Sequence, residues 1–302
     1  MEILNANSLD EAIHTLFGEK LRVVSKRPVH GGDINESYCL SLSDGAVIFM
    51  KSNSVNNLSF FKAETKGLEE LRKADAIGVP KVLAIGTDKP QRISFLLMEY
   101  LTPAAKLTRY WEIFGRELAM LHRADCTGSA EAEQGRPFGF THDNYIGASP
   151  QINTPKENWI TFFRECRLLP QIKTAERYLD SKMRRQFVKL LDHLDSYLNE
   201  PEFPSLIHGD LWSGNAVCGP NGKAWILDPA AYVGHYETEL AMTELFGANP
   251  DSFYAAYNEV TPIDSGYRDR RDLYNLYHML NHLNLFGATY LGAVQRIMNR
   301  YV

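Results

Sequence analysis

The spacing of hydrophobic and polar residues predicts mostly strands in the first hundred residues, with two helices among them. Alternating apolar positions indicate strands, whereas apolar positions that recur every three or four residues indicate helices. The elements predicted in this part are a helix over 9–17 that Ser8 caps, a hairpin of strands 38–42 and 46–50 around Ser43-Asp44-Gly45, a helix over 59–73 and a buried strand over 93–98. The second hairpin strand is predicted to end at Lys51.

Helical patterns dominate from about residue 102 onward. The elements predicted there are a helix over 110–123, an ordered loop over 134–156, helices between 157 and 198 with a break near Pro170, a hairpin over 216–228 and helices to the end. A small β-rich part followed by a larger helical part predicts an α+β, bilobal fold. We place the two lobes at residues 1–101 and 102–302, with a cleft between them.

Composition narrows the classes of protein that the chain can belong to. The 302 residues are 44% hydrophobic and 23% charged, which is typical of a globular protein, and the net charge of −5 favours neither nucleic acid nor an acidic membrane as a partner. No apolar run is long enough to cross a membrane, and the acidic N-terminal segment is not typical of a signal peptide. The four cysteines are far apart and form no metal-binding pair, so we expect a reducing cytoplasm.

The strongest chemical signal is the segment His208-Gly-Asp-Leu-Trp-Ser-Gly-Asn215, followed by Asp228. Asp210 and Asn215 have the separation of the aspartate and asparagine in a kinase catalytic loop. A two-residue turn centred on Asn221-Gly222 would place Asn215 opposite Asp228. An amide oxygen and a carboxylate at one point predict a Mg²⁺ site that serves a nucleotide, with Asp210 accepting the proton of an attacking hydroxyl or orienting it.

A second signal pairs Lys51 with Glu64. Glu64 lies in the apolar stripe of the helix predicted over 59–73, where a carboxylate is costly unless it has a partner. Lys51 would hold the nucleotide phosphates and be positioned by Glu64. Gly31 and Gly32 precede the strand that leads to Lys51, and their backbone amides are candidates for phosphate contacts.

Several other polar residues have less specific patterns. His235 is a candidate substrate contact and Glu239 a candidate helix N-terminal acid, although a structural role is favoured for both. Arg164 and Arg167 fit either phosphate binding or pairing with surface acids. The helical pair His278 and His282 is expected to belong to the core, because no glutamate or third ligand completes a metal site.

These motifs resemble those of the fructosamine kinase (ketosamine-3-kinase) family, within the aminoglycoside phosphotransferase group of the protein-kinase-like fold. The residues that carry the resemblance are HGDLWSGN at 208–215, LDPA at 227–230, GHYETELAM at 234–242, MEYL at 98–101 and the segment from FGFTHDNYIG at 138 to Leu168. The tryptophan of HGDLWSGN is its most specific element. The likeness extends along most of the chain.

The resemblance implies phosphorylation by ATP of the sugar 3-hydroxyl of ketosamines, which are rearranged products of amine glycation. It implies that Asp210 is the base, that Asn215 and Asp228 hold magnesium, and that Lys51 holds the phosphates. The backbone of Glu99, Tyr100 and Leu101 would then contact adenine. We add the hypothesis that Trp212 forms a wall for the sugar.

Two alternatives remain open at this point. The chain fits another small-molecule kinase of the same fold, acting on an aminoglycoside, choline or a homoserine-like alcohol. It also fits, less well, a non-catalytic nucleotide-binding protein. A protein kinase is disfavoured because Gly209 replaces the arginine of the HRD motif and Pro229 follows the metal-binding aspartate. The preferred sugar, the amine that carries it and the oligomeric state are not predicted.

Overall fold

A six-stranded sheet forms the N-terminal part of the protein. The structure is a computed structural model that describes residues 3–29, 34–130 and 132–302. The strands of this sheet are β1 (Leu4–Ala6), β2 (Val23–Val29), β3 (Glu36–Leu42), β4 (Val47–Ser54), β5 (Val82–Asp88) and β6 (Ile93–Glu99). Their order is β1-β5-β6-β4-β3-β2, with β1 parallel to β5 and the other neighbours antiparallel.

The predicted elements of this part are present. Ser8 caps α1 (Leu9–Phe17) by accepting a hydrogen bond from the amide of Glu11. The predicted helix over 59–73 is α2 (Leu58–Lys73). The predicted end of the second hairpin strand is wrong, because β4 continues to Ser54 and Lys51 pairs inside the sheet with Leu96 of β6.

The two helices cover opposite faces of the sheet. Successive side chains of a strand point to opposite faces, and on β6 Phe95 and Leu97 share one buried cluster with α1. Leu96 and Met98 belong to another cluster, which contains α2 and continues into the helical part of the chain. The sheet is thus joined to the rest of the molecule through α2.

The C-terminal part consists mainly of helices. These are α3 (Tyr110–Arg123), α4 (Trp159–Phe162), α5 (Leu169–Ala175), α6 (Ser181–Asp192), α7 (Tyr236–Leu245), α8 (Asp251–Val260), α9 (Tyr267–Phe286) and α10 (Leu291–Tyr301). The α+β arrangement with an N-terminal sheet is as predicted. The lobe boundary at residues 101 and 102 stays a prediction, since β6 ends at Glu99 and α3 begins at Tyr110.

Three short antiparallel pairs of strands complete this part. They are β7 (Asn144–Ile146) with β8 (Ser149–Gln151), β9 (Ser205–Ile207) with β12 (Tyr232–Gly234), and β10 (Ala216–Cys218) with β11 (Ala224–Ile226). The first pair lies inside the predicted ordered loop. No helix among the described residues is both long enough and apolar enough to cross a membrane.

Two local predictions in this part are wrong. Pro170 does not end the helical segment: helical backbone runs without a gap from α4 to α5, and residues 163–168 just before Pro170 form a π-helical turn. The hairpin over 216–228 does not turn on Asn221-Gly222 alone. Its last pair is Cys218 with Ala224, and the loop spans 219–223, closed by a hydrogen bond from Gly219 N to Lys223 O.

Candidate active site

The side chain of Lys51 lies between two carboxylates. Its Nζ is 2.5 Å from Glu64 Oε1 and 2.5 Å from Asp228 Oδ1. Lys51 comes from the middle of β4, Glu64 from α2, and Asp228 from the segment after β11. Residues from both parts of the chain therefore meet at one point, and the predicted pairing of Lys51 with Glu64 is present.

The charges of this trio are mutually dependent. Burial alone would lower the pKa of Lys51, but the adjacent carboxylates of Asp228 and Glu64 outweigh it and raise that pKa above its ordinary value. Burial raises the pKa of Glu64, while the Lys51 ammonium opposes this shift. Lys51 is therefore charged at neutral pH, as its predicted contact with phosphates requires.

The HGDLWSGN segment, which we call the catalytic loop after the role predicted for it, is closed by hydrogen bonds within the segment. The side-chain Nδ2 of Asn215 donates to the backbone oxygen of Asp210 at 2.8 Å and to Asp210 Oδ2 at 3.2 Å. This geometry commits the Nδ2 group of Asn215 and leaves its carbonyl oxygen for another ligand. The predicted proximity of Asp210 and Asn215 is therefore observed.

His208 connects the catalytic loop with the segment that carries Asp228. Its Nε2 lies 2.7 Å from Leu227 O, and its Nδ1 accepts from the amide of Asp210 at 3.2 Å. Burial lowers the pKa of His208, so the imidazole is neutral, with its proton on Nε2. One buried ring thus holds Asp210 and the residue before Asp228 in a fixed relation.

Asn215 and Asp228 do not face each other as predicted. The register of the hairpin is shifted by one residue, and Leu227 N donates to Asn215 O at 2.9 Å. Asp228 follows one residue later and has a φ of 58°, in the left-handed region that aspartate tolerates better than most residues. The positive φ is a local strain of the kind found at functional sites.

The residues present fit a magnesium ion bound together with a nucleotide. Asn215 retains a carbonyl oxygen, and Asp228 keeps Oδ2 outside its ion pair, with its side chain 45% exposed. Among the described residues, no group of three or more His, Cys, Asp or Glu side chains is arranged to hold a metal. Two protein oxygens are nevertheless enough for Mg²⁺, which completes its shell with water and phosphate oxygens.

Burial and charge also act on Asp210. Burial and the nearby carboxylate of Asp228 raise the pKa of Asp210 well above its ordinary value, against the hydrogen bond from Asn215. A carboxylate that binds protons more tightly than usual is a better general base. Cationic groups that enter the site with the substrates would oppose this rise.

Glu239 anchors the backbone of the catalytic loop through hydrogen bonds. Its Oε2 accepts from His208 N and its Oε1 from Gly209 N, both at 2.8 Å, and His122 Nε2 lies 3.2 Å from Oε2. Burial would raise the pKa of Glu239, but the hydrogen bonds and charges of His122 and His208 lower it. Glu239 is in the first turn of α7, as expected, but its role as an anchor of the loop was not predicted.

Gly209 and the segment after Asp228 are packed backbone against backbone. Gly209 has a φ of 82°, and a Cβ atom there would lie 2.2 Å from Ala230 O. The side chains of Asn144 and Gln151 donate to the carbonyl oxygens of Ala231 and Ala230. The β7–β8 hairpin therefore supports the chain immediately after Asp228.

The remaining predicted residues have different positions. Gly31 and Gly32 lie outside the described residues. Glu99 ends β6, and its amide donates to Lys81 O, while Tyr100 and Leu101 follow as partly exposed residues. Trp212 is 39% exposed beside the catalytic loop.

His235 does not have the position expected of a substrate contact. It is only 3% exposed, and its Nδ1 accepts from Glu237 N at the start of α7. Its ring is packed against Trp159, Tyr236 and Tyr274. Its observed role is helix capping in the core, the structural role that the sequence favoured.

Neither arginine forms an ion pair with an acid among the residues that the structure describes. Arg167 is fully buried, with its guanidinium 3.8 Å from the ring centre of Tyr232 and a hydrogen bond to Asn153 Oδ1. Arg164 donates to Leu191 O. His278 is buried, as expected of a core histidine.

The chain has the protein-kinase-like fold. The structure of a macrolide 2′-phosphotransferase type I has the same fold, with a TM-score of 0.59 at 14% identity over 99% of both chains. This likeness confirms the predicted fold class. The family match and the curated relatives confirm the prediction of an enzyme that phosphorylates an alcohol.

The chain belongs to the fructosamine kinase family, whose model matches residues 5–302. It is 37% identical over 294 residues to the "Probable ketoamine kinase" of Synechocystis sp. (strain PCC 6803), covering 97% of this chain and 95% of that protein. It is also similar to the crystal structure of a "Putative fructosamine-3-kinase" from Haemophilus somnus 129PT. That similarity has a TM-score of 0.84 at 28% identity and covers 98% of this chain and 97% of that one.

Proposed function

We propose that the protein transfers the γ-phosphate of ATP to the 3-hydroxyl of ketosamines. The observation that carries the proposal is the contact of Lys51 with both Glu64 and Asp228, beside a catalytic loop in which Asn215 holds Asp210. A positive charge for phosphates, oxygen ligands for magnesium and a carboxylate base are thus present in one place. The names of the Synechocystis and Haemophilus relatives, a ketoamine kinase and a fructosamine-3-kinase, support the substrate class.

Each residue has a distinct part in the proposed reaction. Asp210 accepts the proton of the sugar hydroxyl while the oxygen of that hydroxyl attacks the γ-phosphate and ADP leaves. Lys51 contacts the phosphates, and Glu64 holds Lys51 in position. Asn215 and Asp228 would hold magnesium, which would supply positive charge to stabilise the phosphate oxygens. The backbone from Glu99 to Leu101 binds adenine, and Gly31 and Gly32 contact phosphates.

The test of this proposal is a comparison of substrates with the Asp210→Asn variant as control. ADP release is measured with ATP and magnesium against fructose-lysine, ribulose-lysine, kanamycin and choline. We expect turnover of the ketosamines and a loss of at least about a hundredfold in kcat in the variant, since a general base contributes about that much. ATP binding should be nearly unchanged in the variant.

Each contrary outcome has a definite meaning. A variant that keeps more than half of the wild-type rate would exclude Asp210 as the base. Turnover of kanamycin or choline alone would keep the class of enzyme and replace the substrate. ATP binding without turnover of any compound would support the non-catalytic alternative.

Trp212 is proposed as a wall for the sugar. Its indole lies back over Gly214, where a Cβ atom would be 2.3 Å from the ring. Truncation of Trp212 to alanine should raise the KM for a ketosamine about tenfold and change the KM for ATP little, because the lost contact is apolar and lies on the sugar side. An unchanged KM for the ketosamine would refute this role.

A further inference from the structure

The exposed aromatic side chains of the protein are concentrated beside the catalytic loop. Trp212, Phe246 and Phe286 are 39%, 38% and 51% exposed, and they are the exposed phenylalanine, tryptophan and tyrosine side chains of the described residues. Their exposure leaves apolar surface in contact with water, which proteins usually tolerate where a ligand covers it.

These side chains form one continuous surface with two partly buried rings. The ring centres of Trp212 and Phe246 are 6.2 Å apart, and those of Phe246 and His282 are 5.0 Å apart. His282 lies 5.4 Å from Phe286 and 5.1 Å from Tyr290. We call these five residues the aromatic patch.

The aromatic patch begins at the catalytic loop and leads away from it. Trp212 is itself a residue of the loop, two positions after Asp210, and its backbone amide donates to Asp210 O at 3.1 Å. Phe246 follows the end of α7, and Phe286 is the last residue of α9. A molecule with one end at Asp210 can therefore extend over Trp212 and Phe246 towards Phe286.

His282 makes the aromatic patch suitable for a cation. Its Nδ1 lies 2.8 Å from His278 O, which assigns the proton to Nδ1 and leaves a lone pair on Nε2. Burial lowers the pKa of His282, so its ring is neutral and does not repel a positive charge. The faces of the neighbouring aromatic rings attract cations as well.

We propose that the aromatic patch binds the substituent on the amine nitrogen of the ketosamine and thereby selects substrates with long apolar, cationic amines. This inference rests on the proposed function. In a ketosamine the nitrogen is three bonds from C3, so a sugar with its 3-hydroxyl at Asp210 has its ammonium near Trp212. The chain that the nitrogen carries then covers Phe246 and Phe286.

The length and charge of a lysine side chain fit this surface. Its methylene groups cover apolar rings, and its glycated nitrogen stays protonated at neutral pH. A short or anionic amine substituent lacks one or both of these contacts. The aromatic patch is also open to solvent, so it leaves room for a longer molecule attached to the lysine.

The experiment compares two substrates with the same sugar and different amines. These are the ketose adducts of methylamine and of hexylamine, and the quantity measured is the ratio of their kcat/KM values. The wild-type protein should prefer the hexylamine adduct by about tenfold, from the apolar area that the longer chain buries. Because both adducts carry the same sugar, changes in the chemical step cancel in the ratio.

Phe246→Ala and Phe286→Ala should each reduce this ratio by about threefold to fivefold, the effect of losing part of the apolar contact with the hexyl chain. Both side chains are at the surface, and thermal melting verifies that each variant folds. The matched control is Val188→Ala on α6, which removes an exposed apolar side chain outside the aromatic patch and should leave the ratio unchanged.

The outcomes separate the two proposals. The aromatic patch is overturned as a subsite if the wild-type protein has a ratio near one, or if both phenylalanine variants keep the ratio of the wild-type protein. The proposed function stands in either case. No turnover of either adduct overturns the proposed function, and this inference with it. A reduced ratio in both variants, with an unchanged ratio in the Val188→Ala control, supports the inference.

Discussion

Glu239 has its carboxylate buried beneath the backbone of the catalytic loop, where it accepts from two consecutive amides. His122 contacts Glu239, and Nδ1 of His122 is 2.7 Å from the hydroxyl group of Tyr257. All three side chains are buried. A buried carboxylate with several donors is rigid, because any rotation would leave amides without partners. We infer that Glu239 positions the loop without contacting a substrate.

Replacement of Glu239 by glutamine should disturb the catalytic loop. The variant presents an NH₂ group where one of the loop amides needs an acceptor, so we expect a loss of about 1–3 kcal/mol in the free energy of unfolding. We also expect at least a tenfold fall in kcat with a smaller change in the KM for ATP. Urea unfolding and steady-state kinetics measure the two effects.

The matched control for this variant is Glu259→Gln. Glu259 forms a surface ion pair with Arg116, and its side chain is 57% exposed, so its loss should cost less than about 1 kcal/mol. Equal effects of the two substitutions on kcat would show that Glu239 does not position the loop.

Most of the proposed catalytic side chains could be predicted one by one from the sequence. Asp210 and Asn215 are close in the chain, so their spacing already implies their contact. Lys51 and Glu64 could be paired because each is a charged residue in an apolar setting. Glu239 contacts residues 30 positions away, and no local pattern distinguishes it from an ordinary acid at a helix N-terminus.

The β7–β8 hairpin connects α2 with the segment that carries Asp228. Tyr145 in β7 stacks on Phe60 of α2, with ring centres 3.9 Å apart and an angle of 18° between the planes. Phe60 is one helical turn before Glu64 and so lies on the same helix face. The opposite side of the hairpin holds the carbonyl oxygens of residues 230 and 231. The hairpin thus fixes α2 and the Asp228 segment relative to each other.

Removal of the stacked ring should loosen the pairing of Glu64 with Lys51. We expect Tyr145→Ala to lower kcat about threefold to tenfold, since an aromatic pair contributes about 0.5–1.5 kcal/mol. Tyr145→Phe keeps the ring and is the control, with kcat close to the wild-type value. If the alanine and phenylalanine variants have the same kcat, the stacking does not support the site.

The predictions of elements failed where tertiary contacts decide the local conformation. Asn-Gly is typical of a two-residue turn, yet the loop between β10 and β11 has five residues. Asn221 and Gly222 both have positive φ, so their backbone preference was recognised, but the loop is wider because Gly222 O also accepts from Leu107 N. The π-helical turn before Pro170 likewise accommodates a residue that cannot donate.

Across the whole molecule, buried neutral histidines should make the fold sensitive to acid. Burial lowers the pKa of His235 and of His278 to about 3, from an ordinary value of 6.5. The unfolded chain therefore binds more protons than the folded one between these values, and stability falls as the pH decreases from 6.5 towards 3. The stability is retained above pH 6.5.

The prediction is tested by urea unfolding at pH 7 and pH 5.5. For each such histidine we expect a loss of about 1 kcal/mol between these pH values. The variant His278→Gln should lose less of its free energy of unfolding between these pH values than the wild type loses. The control His193→Gln, at an exposed position, should lose as much as the wild type. The prediction is contradicted if the His278→Gln variant loses as much free energy of unfolding as the wild type does.

The sequence by itself determined the class of fold, the order of the main elements and the residues of the proposed chemistry, because these depend on periodicity and on motifs that are contiguous or nearly so. The resemblance carried by HGDLWSGN was sufficient for the family. Only the tertiary structure decided which side chains support that chemistry. Glu239, the β7–β8 hairpin and the aromatic patch all act through contacts between residues far apart in the chain, and no spacing within one sequence encodes those contacts.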